Sequence, residues 1–203
     1  MRASPAFAGV TRWKCEKKFA LAVIDLHSDR AYYRRMQRVA RLLLDMVSAG
    51  VITDYAVFGA VAQMRYTEAV STMDANILVG LSERPGLDIL KPIHDYCASK
   101  GYSPEGEAVR VGDWPVQFIP AFSPLTAEAM REAEIVQIEG VPLRVVSANY
   151  LALIALSTGR PKDYARVLAL VESGSVSLDG LVHLAKQHGL SGLLQRFIAR
   201  FQE

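Results

Sequence analysis

The apolar residues of this chain change period near residue 146, and that change constrains the fold more than any single residue does. Before it, short apolar runs such as Tyr55-Ala-Val-Phe58 and Ala108-Val-Arg-Val111 stop at glycines and alternate with segments of helical period. Beyond Ser147 only the helical period is left, over 148–158, 162–172, 178–188 and 191–201. Mixed α and β followed by helix alone predicts an α+β core with a C-terminal helical segment. The boundaries expected are an N-terminal extension over 1–28, a core over 29–146 and helices over 147–203. At 203 residues, 51% of them hydrophobic, the chain is long enough to bury one substantial core.

The elements follow from spacing. From Asp29 to Gly50 the residues Tyr32, Met36, Val39, Leu43, Met46 and Val47 recur at the helical period, with Ser28 or Asp29 to cap the start. Leu87 to Lys100 is a second amphipathic helix through Leu90, Ile93, His94 and Cys97, ended by Gly101. Gly112-Asp113-Trp114 joins Ala108–Val111 to Pro115–Ile119 as a hairpin, and Glu139-Gly140 joins Ile135–Ile138 to Leu143–Val146. Ser123-Pro124 is a cap followed by proline at the first helical position, opening a helix to about Glu132, and Ser147 is read as the cap of the next helix.

Charge is nearly balanced, 23 Lys+Arg against 21 Asp+Glu, which excludes a disordered polyelectrolyte and disfavours a strongly basic nucleic-acid binder. Its distribution is uneven. Arg30, Arg34, Arg35, Arg38 and Arg41 form a stripe opposite the apolar face of the first helix, with no local carboxylate until Asp45. That stripe is either a solvated face or a surface for RNA or a partner protein. Two cysteines, Cys15 and Cys97, make no disulfide framework or metal knuckle and fit a reducing compartment, so the cytoplasm is expected. The apolar run Phe19–Ile24 meets Asp25 at about half the length of a membrane span, so no membrane association is expected. His183 and His188, five apart, fall on different helix faces and form no paired metal site.

The chemistry concentrates in Tyr55-Ala-Val-Phe-Gly-Ala-Val-Ala-Gln-Met-Arg-Tyr66, followed by Ser71-Thr-Met-Asp-Ala-Asn-Ile-Leu-Val79. A strand ending in Gly59 and turning at once into a helix presents free backbone N–H groups where a phosphate can sit. Asp74 and Asn76, two apart before the next apolar run, project from one side of a strand. Farther on, Arg160, Lys162 and Asp163 form a polar cluster after an apolar helix. They are either cations at the mouth of a cleft or a helix corner that Asp163 caps.

These stretches resemble the nucleotidyltransferase superfamily, in which a strand and helix bearing Gly-Gly or Gly-Ser precede a strand bearing Asp-x-Asp. Trp114-Pro-Val-Gln-Phe-Ile-Pro120 with Ser123-Pro-Leu-Thr126, and Ala148 through Arg160-Pro-Lys-Asp163, are similar to its minimal and abortive-infection-toxin-like members; the resemblance runs from Asp29 to Gln187. It implies a mixed sheet flanked by helices, and attack by a hydroxyl on the α-phosphate of a nucleoside triphosphate. Two Mg²⁺ ions held by three carboxylates would assist that attack. Carried onto this chain, it implies Asp74 as metal ligand, Asn76 and Gln117 at the other two carboxylate positions, and nucleotide contacts from Gly59, Ala60, Arg65, Arg160 and Lys162.

Several departures bear on activity. Asn76 and Gln117 are neutral amides, Ala60 stands at the second small or hydroxyl position, Ala155 stands where lysine is usual, and Arg166 stands where a later aspartate is common. Mg²⁺ gains most from anionic oxygen, so a weakened ion site is expected unless Asp54, Glu68 or Asp113 substitutes. Two functions follow as expectations. One is a nucleotide- or partner-binding protein with lost or reduced two-metal catalysis; the other is an active Mg²⁺-dependent transferase of toxin–antitoxin type acting on RNA or a protein.

Overall fold

A computed structural model gives the fold over residues 26–68, 72–82 and 88–201, with side chains described from Tyr32 onward. The apolar run Phe19–Ile24, Cys15 and the proposed helix start at Leu87 lie outside the described residues.

The apolar stripe at the start forms α1 (Leu26–Ser48), whose Met36, Val39, Leu43 and Met46 are buried. Then follow β1 (Asp54–Phe58), α2 (Gly59–Gln63), β2 (Ala75–Gly80) and α3 (Lys91–Ser99). Helix α3 carries Pro92 in its first turn, the one part of a helix where the missing N–H costs nothing. Strands β3 (Ser103–Glu105), β4 (Ala108–Val111) and β5 (Trp114–Pro120) come next, then α4 (Pro124–Arg131), β6 (Glu134–Ile138) and β7 (Val141–Val145). The chain closes on α5 (Ala148–Thr158), α6 (Pro161–Glu172), α7 (Leu178–Gln187) and α8 (Ser191–Phe201).

The strands make one mixed sheet in the order β3-β4-β5-β2-β1-β7-β6. The central pair β1/β2 is antiparallel, while β2/β5 and β1/β7 are parallel, so chain segments on both sides of β1 and β2 run alongside them. Tyr55, Ala56 and Val57 of β1 and Ile77, Leu78 and Val79 of β2 are buried at successive positions, so both sheet faces are covered there. Helix α1 packs on β4, β6 and β7, and α4 on β1 and β2. The last helices are tied to the core by the buried α5, by Tyr66 donating to the Val146 carbonyl at 3.1 Å, and by Ser175 donating to the Tyr66 carbonyl at 2.8 Å.

Both hairpins form, with corrections to their strands: β7 runs over Val141–Val145, starting two residues before the expected Leu143. Val111 pairs with Trp114, so the loop is two residues, Gly112-Asp113, and Trp114 belongs to β5. Gly112 at φ +70 accepts the tight turn, and the buried indole of Trp114 packs edge-on against Tyr32 with centroids 5.8 Å apart. The other turn, Glu139-Gly140, has φ of 47 and 79, the left-handed pair that a two-residue hairpin needs. Ser123 caps α4 through a reciprocal bond with Thr126, but Ser147 occupies the cap position of α5 without a side-chain bond. Asp163 is not a cap either. Arg160 holds that position in α6, and Asp163, two residues into the helix after Pro161, is buried.

Candidate functional site

The site grows from the end of β1. Gly59 at φ +71 turns the chain from the strand into α2, and β2 runs beside it with Phe58 opposite Asn76. A Cβ on Gly59 would stand 3.4 Å from Asn76 Nδ2, an ordinary contact, so the left-handed turn rather than space is what asks for glycine. On the other side of β2, parallel pairing sets Gln117 of β5 level with Asn76. Gly59, Asp74, Asn76 and Gln117, spread over nearly sixty residues of sequence, are thereby neighbours at the centre of the sheet.

The hydrogen bonds define what this group can bind. Asn76 Nδ2 donates to Asp74 Oδ2 at 3.3 Å, and Thr72 Oγ1 donates to Asp74 Oδ1 at 3.1 Å. Gln117 Nε2 donates to Glu107 Oε2 at 3.2 Å. Both amides therefore turn N–H toward a carboxylate, since only that end of an amide can donate. A divalent ion needs the opposite, several oxygens of which some are anionic. Between Asp74, Asn76 and Gln117 there is one carboxylate, and it is already engaged by two donors. No cluster of three His, Cys, Asp or Glu suited to a metal ion occurs among the described residues. Of the three positions, Asp74 alone offers anionic oxygen.

The carboxylates considered as substitutes lie elsewhere or are committed. Asp54 sits at the opposite end of β1, 3.3 Å from Arg144 Nε, and Asp113 pairs with Arg35 at 2.6 Å. The Arg35 bond holds the Asp113 carboxyl below its ordinary range, with smaller help from Arg38. Glu68 is exposed at the end of the segment after α2. The carboxylate that does meet the group is Glu107, in the β3–β4 turn. Its only sequence signal would have been that hairpin, and β3 is three exposed residues with a proline, too short to show a period.

The proposed nucleotide contacts divide. Ala60 is half-buried in the first turn of α2. Arg65 pairs with Glu134 of β6, with Nη2 2.8 Å and Nε 3.2 Å from Oε2, and that bond raises its guanidinium pKa. Arg160 Nε donates to Asp163 Oδ2 at 2.6 Å, while Lys162 is exposed. Asp163, only 1% exposed, also accepts from Arg166 Nη1 at 3.2 Å, and Arg166 Nε donates to the buried Gln63 Oε1 at 3.0 Å. Arg166 thus joins α6 to the end of α2, about one helical turn from Gly59. Ala155 is buried in α5. Cys97 is buried as well, its thiol pushed up to about 12 by desolvation, and is a packing residue.

No family model matches the sequence, and no curated protein matches it. Among solved structures, the fold is similar to an antigenic nucleotidyltransferase-like protein from Paracoccidioides brasiliensis. The TM-score is 0.50 at 11% identity, over 84% of this chain and 98% of that one. The antibiotic-resistance factor ANT(2'')-Ia matches at TM-score 0.47 and 14% identity, over 84% and 95% of the two chains. CdnC from E. coli MS115-1, solved with ATP, matches at TM-score 0.39 and 19% identity, over 87% and 60%.

Proposed function

We propose that this chain, which has the nucleotidyltransferase fold, binds a nucleotide or a protein partner beside the Gly59 turn and has lost or reduced the two-metal catalysis that the fold usually supports. The observation that carries the reading is the bond from Asn76 Nδ2 to Asp74. An aspartate at position 76 would repel Asp74 until an ion joined them; the amide satisfies Asp74 with no ion at all. Phosphoryl transfer draws most of its rate from charge placed against the phosphates, so a site with one carboxylate of three is a poor catalyst. On this reading the backbone at Gly59 and Ala60, with Arg160 and Lys162, contacts nucleotide phosphates. Arg65 joins them, and both it and Arg160 exchange their exposed ion pairs, to Glu134 and Asp163, for phosphate.

A second reading, an active Mg²⁺-dependent transferase passing a nucleotide to RNA or a protein in a toxin–antitoxin pair, is favoured by Glu107. It brings a second carboxylate to within 3.2 Å of Gln117. Calorimetry with ATP, GTP, CTP and UTP, with and without Mg²⁺, separates the two: the binding protein takes a nucleotide with the same affinity in EDTA. Nucleotide transfer should be absent or slow in the unmodified chain and rise in Asn76→Asp/Gln117→Asp. Rapid Mg²⁺-dependent transfer by the unmodified chain would sink the proposal and leave the enzyme.

A further inference from the structure

The sheet has two edges, and only one is guarded. At one end β3 is three residues with Pro104 at its centre, a short edge interrupted by proline. At the other end β6 has β7 alone as its strand partner, and its sequence Glu-Ile-Val-Gln-Ile carries no proline, lysine or glycine. Its five pairs with β7 are consecutive, so no bulge turns the edge away. Ile135 is 66% exposed, and no other large apolar side chain in a described strand is exposed. The register fixes which backbone groups this edge presents. Pro142 has no N–H and stands opposite Gln137, so that pair is a non-hydrogen-bonded one. Antiparallel pairs alternate, so Glu134, Val136 and Ile138 direct their N–H and C=O at β7, while Ile135 and Gln137 turn theirs outward. Among the described residues no backbone group meets those of Ile135 or Gln137.

A strand that covers this edge must offer donors and acceptors at two positions, two residues apart. A second copy of β6 does so. Placed antiparallel about a two-fold axis at Val136, Ile135 of each copy faces Gln137 of the other, and every outward N–H and C=O of both strands finds a partner. The half-buried Val136 then meets its counterpart at the axis, and the two exposed Ile135 side chains become diagonal neighbours on the other face. Glu134, the one charged residue of β6, faces Ile138 of the second copy, so the two carboxylates stand at opposite ends instead of across from each other. The neighbouring registers are poorer. An axis at Ile135 sets Gln137 against Ala133, which lies before the strand and already donates its N–H to the Met130 carbonyl at 3.3 Å. An axis at Gln137 sets Ile135 against Glu139, which is bent out of strand geometry at φ 47 in the turn.

We propose that β6 is the interface of a symmetric homodimer, pairing antiparallel with β6 of a second copy about Val136 so that one continuous sheet spans both copies. The pairing does not rest on what the Gly59 turn binds. Sedimentation equilibrium of the full chain, from about 1 to about 200 µM, should approach twice the chain mass of 22.3 kDa at the upper end. Ile135→Glu places a charge opposite Arg144 of its own β7, which accommodates it within the chain, and Gln137→Pro removes only an outward N–H. Each should weaken the dimer about tenfold or more, because the two-fold axis makes every loss occur twice. The register has its own readout. Val136→Cys in a Cys15→Ser chain should give a disulfide-linked dimer under mild oxidation, since residues facing at a non-hydrogen-bonded pair have Cα atoms about 4.5 Å apart; the remaining Cys97 is buried. Ile138→Cys in the same chain should not cross-link, because it faces position 134 of the other copy. A chain that stays monomeric at about 200 µM overturns the proposal and leaves the edge to a different protein. So does a dimer that neither Ile135→Glu nor Gln137→Pro weakens, or cross-linking through Ile138→Cys and not through Val136→Cys. Thermal melting confirms that each variant folds, and if Gln137→Pro does not, Ile135→Glu and the two cysteine variants decide.

Discussion

At residue 76 the difference between an amide and a carboxylate is one donor exchanged for one charge, and the surroundings decide what that does. Asn76 gives Asp74 a hydrogen bond of 3.3 Å; aspartate there would remove it and set two like charges on one side of a strand. Asn76→Asp should therefore lose about 1–2 kcal/mol of stability in EDTA. If the new pair recruits an ion, Mg²⁺ restores the loss, whereas the unmodified chain shows no such Mg²⁺-dependent rise in Tm. Differential scanning calorimetry with and without Mg²⁺ reads both. Gly59 is constrained by its backbone instead. At φ +71, with open contact of 3.4 Å toward Asn76, an added methyl fits but the left-handed conformation costs about 1–2 kcal/mol. Gly59→Ala should lower the urea midpoint accordingly, and an unchanged midpoint would mean that the turn relaxes. The role of Gly59 could be read from the sequence, because a glycine between a strand and a helix announces a turn. The partners of the two amides could not: Asp74 is local to Asn76, but Glu107 reaches Gln117 only through the β3–β4 hairpin.

Among the elements, those with a strong period or a turn dipeptide were legible, and those stabilised by distant partners were not. Strands β6 and β7 emerge from Glu139-Gly140, and α4 from Ser123-Pro124, because each signal is complete within a few residues. The joint between α2 and α6 is of the other kind. Gln63 and Arg166 are 103 residues apart, and nothing near either one says that Arg166 bridges Gln63 to Asp163. In sequence Asp163 has the composition of a cap, yet it is buried and holds two guanidinium groups. Removing its charge leaves Arg166, itself only 16% exposed, without its anion, a loss of about 3 kcal/mol or more. Asp163→Asn should show this in urea denaturation, whereas Arg160→Ala, which deletes the exposed partner, should cost about 1 kcal/mol or less. Equal losses in the two variants would show that the buried half of the network contributes nothing of its own.

Over the whole molecule, the sheet and the final helices are held to one another by a second polar joint, and its chemistry makes the association pH-dependent. Glu128 of α4 accepts from Gln187 Nε2 of α7 at 2.9 Å on both oxygens and stands 2.7 Å from His188 Nε2. The Tyr150 hydroxyl of α5 is pushed up to about 12, by burial first and by the Glu128 charge second. These donors, Gln187 foremost, hold the Glu128 carboxyl below its ordinary value of 4.5 against the opposing effect of desolvation. A group whose pKa is lowered by folding stabilises the folded state fully above its unfolded value, and that contribution is lost as pH falls through the folded value. Glu128→Gln cannot titrate. The difference in urea midpoint between the unmodified chain and Glu128→Gln should thus be constant above about pH 6 and shrink steadily below about pH 4.5, the two curves converging in acid. A difference that does not change between pH 6 and pH 3 would mean that the carboxylate charge is irrelevant to the joint, and that α7 is held by its neutral hydrogen bonds and apolar contacts.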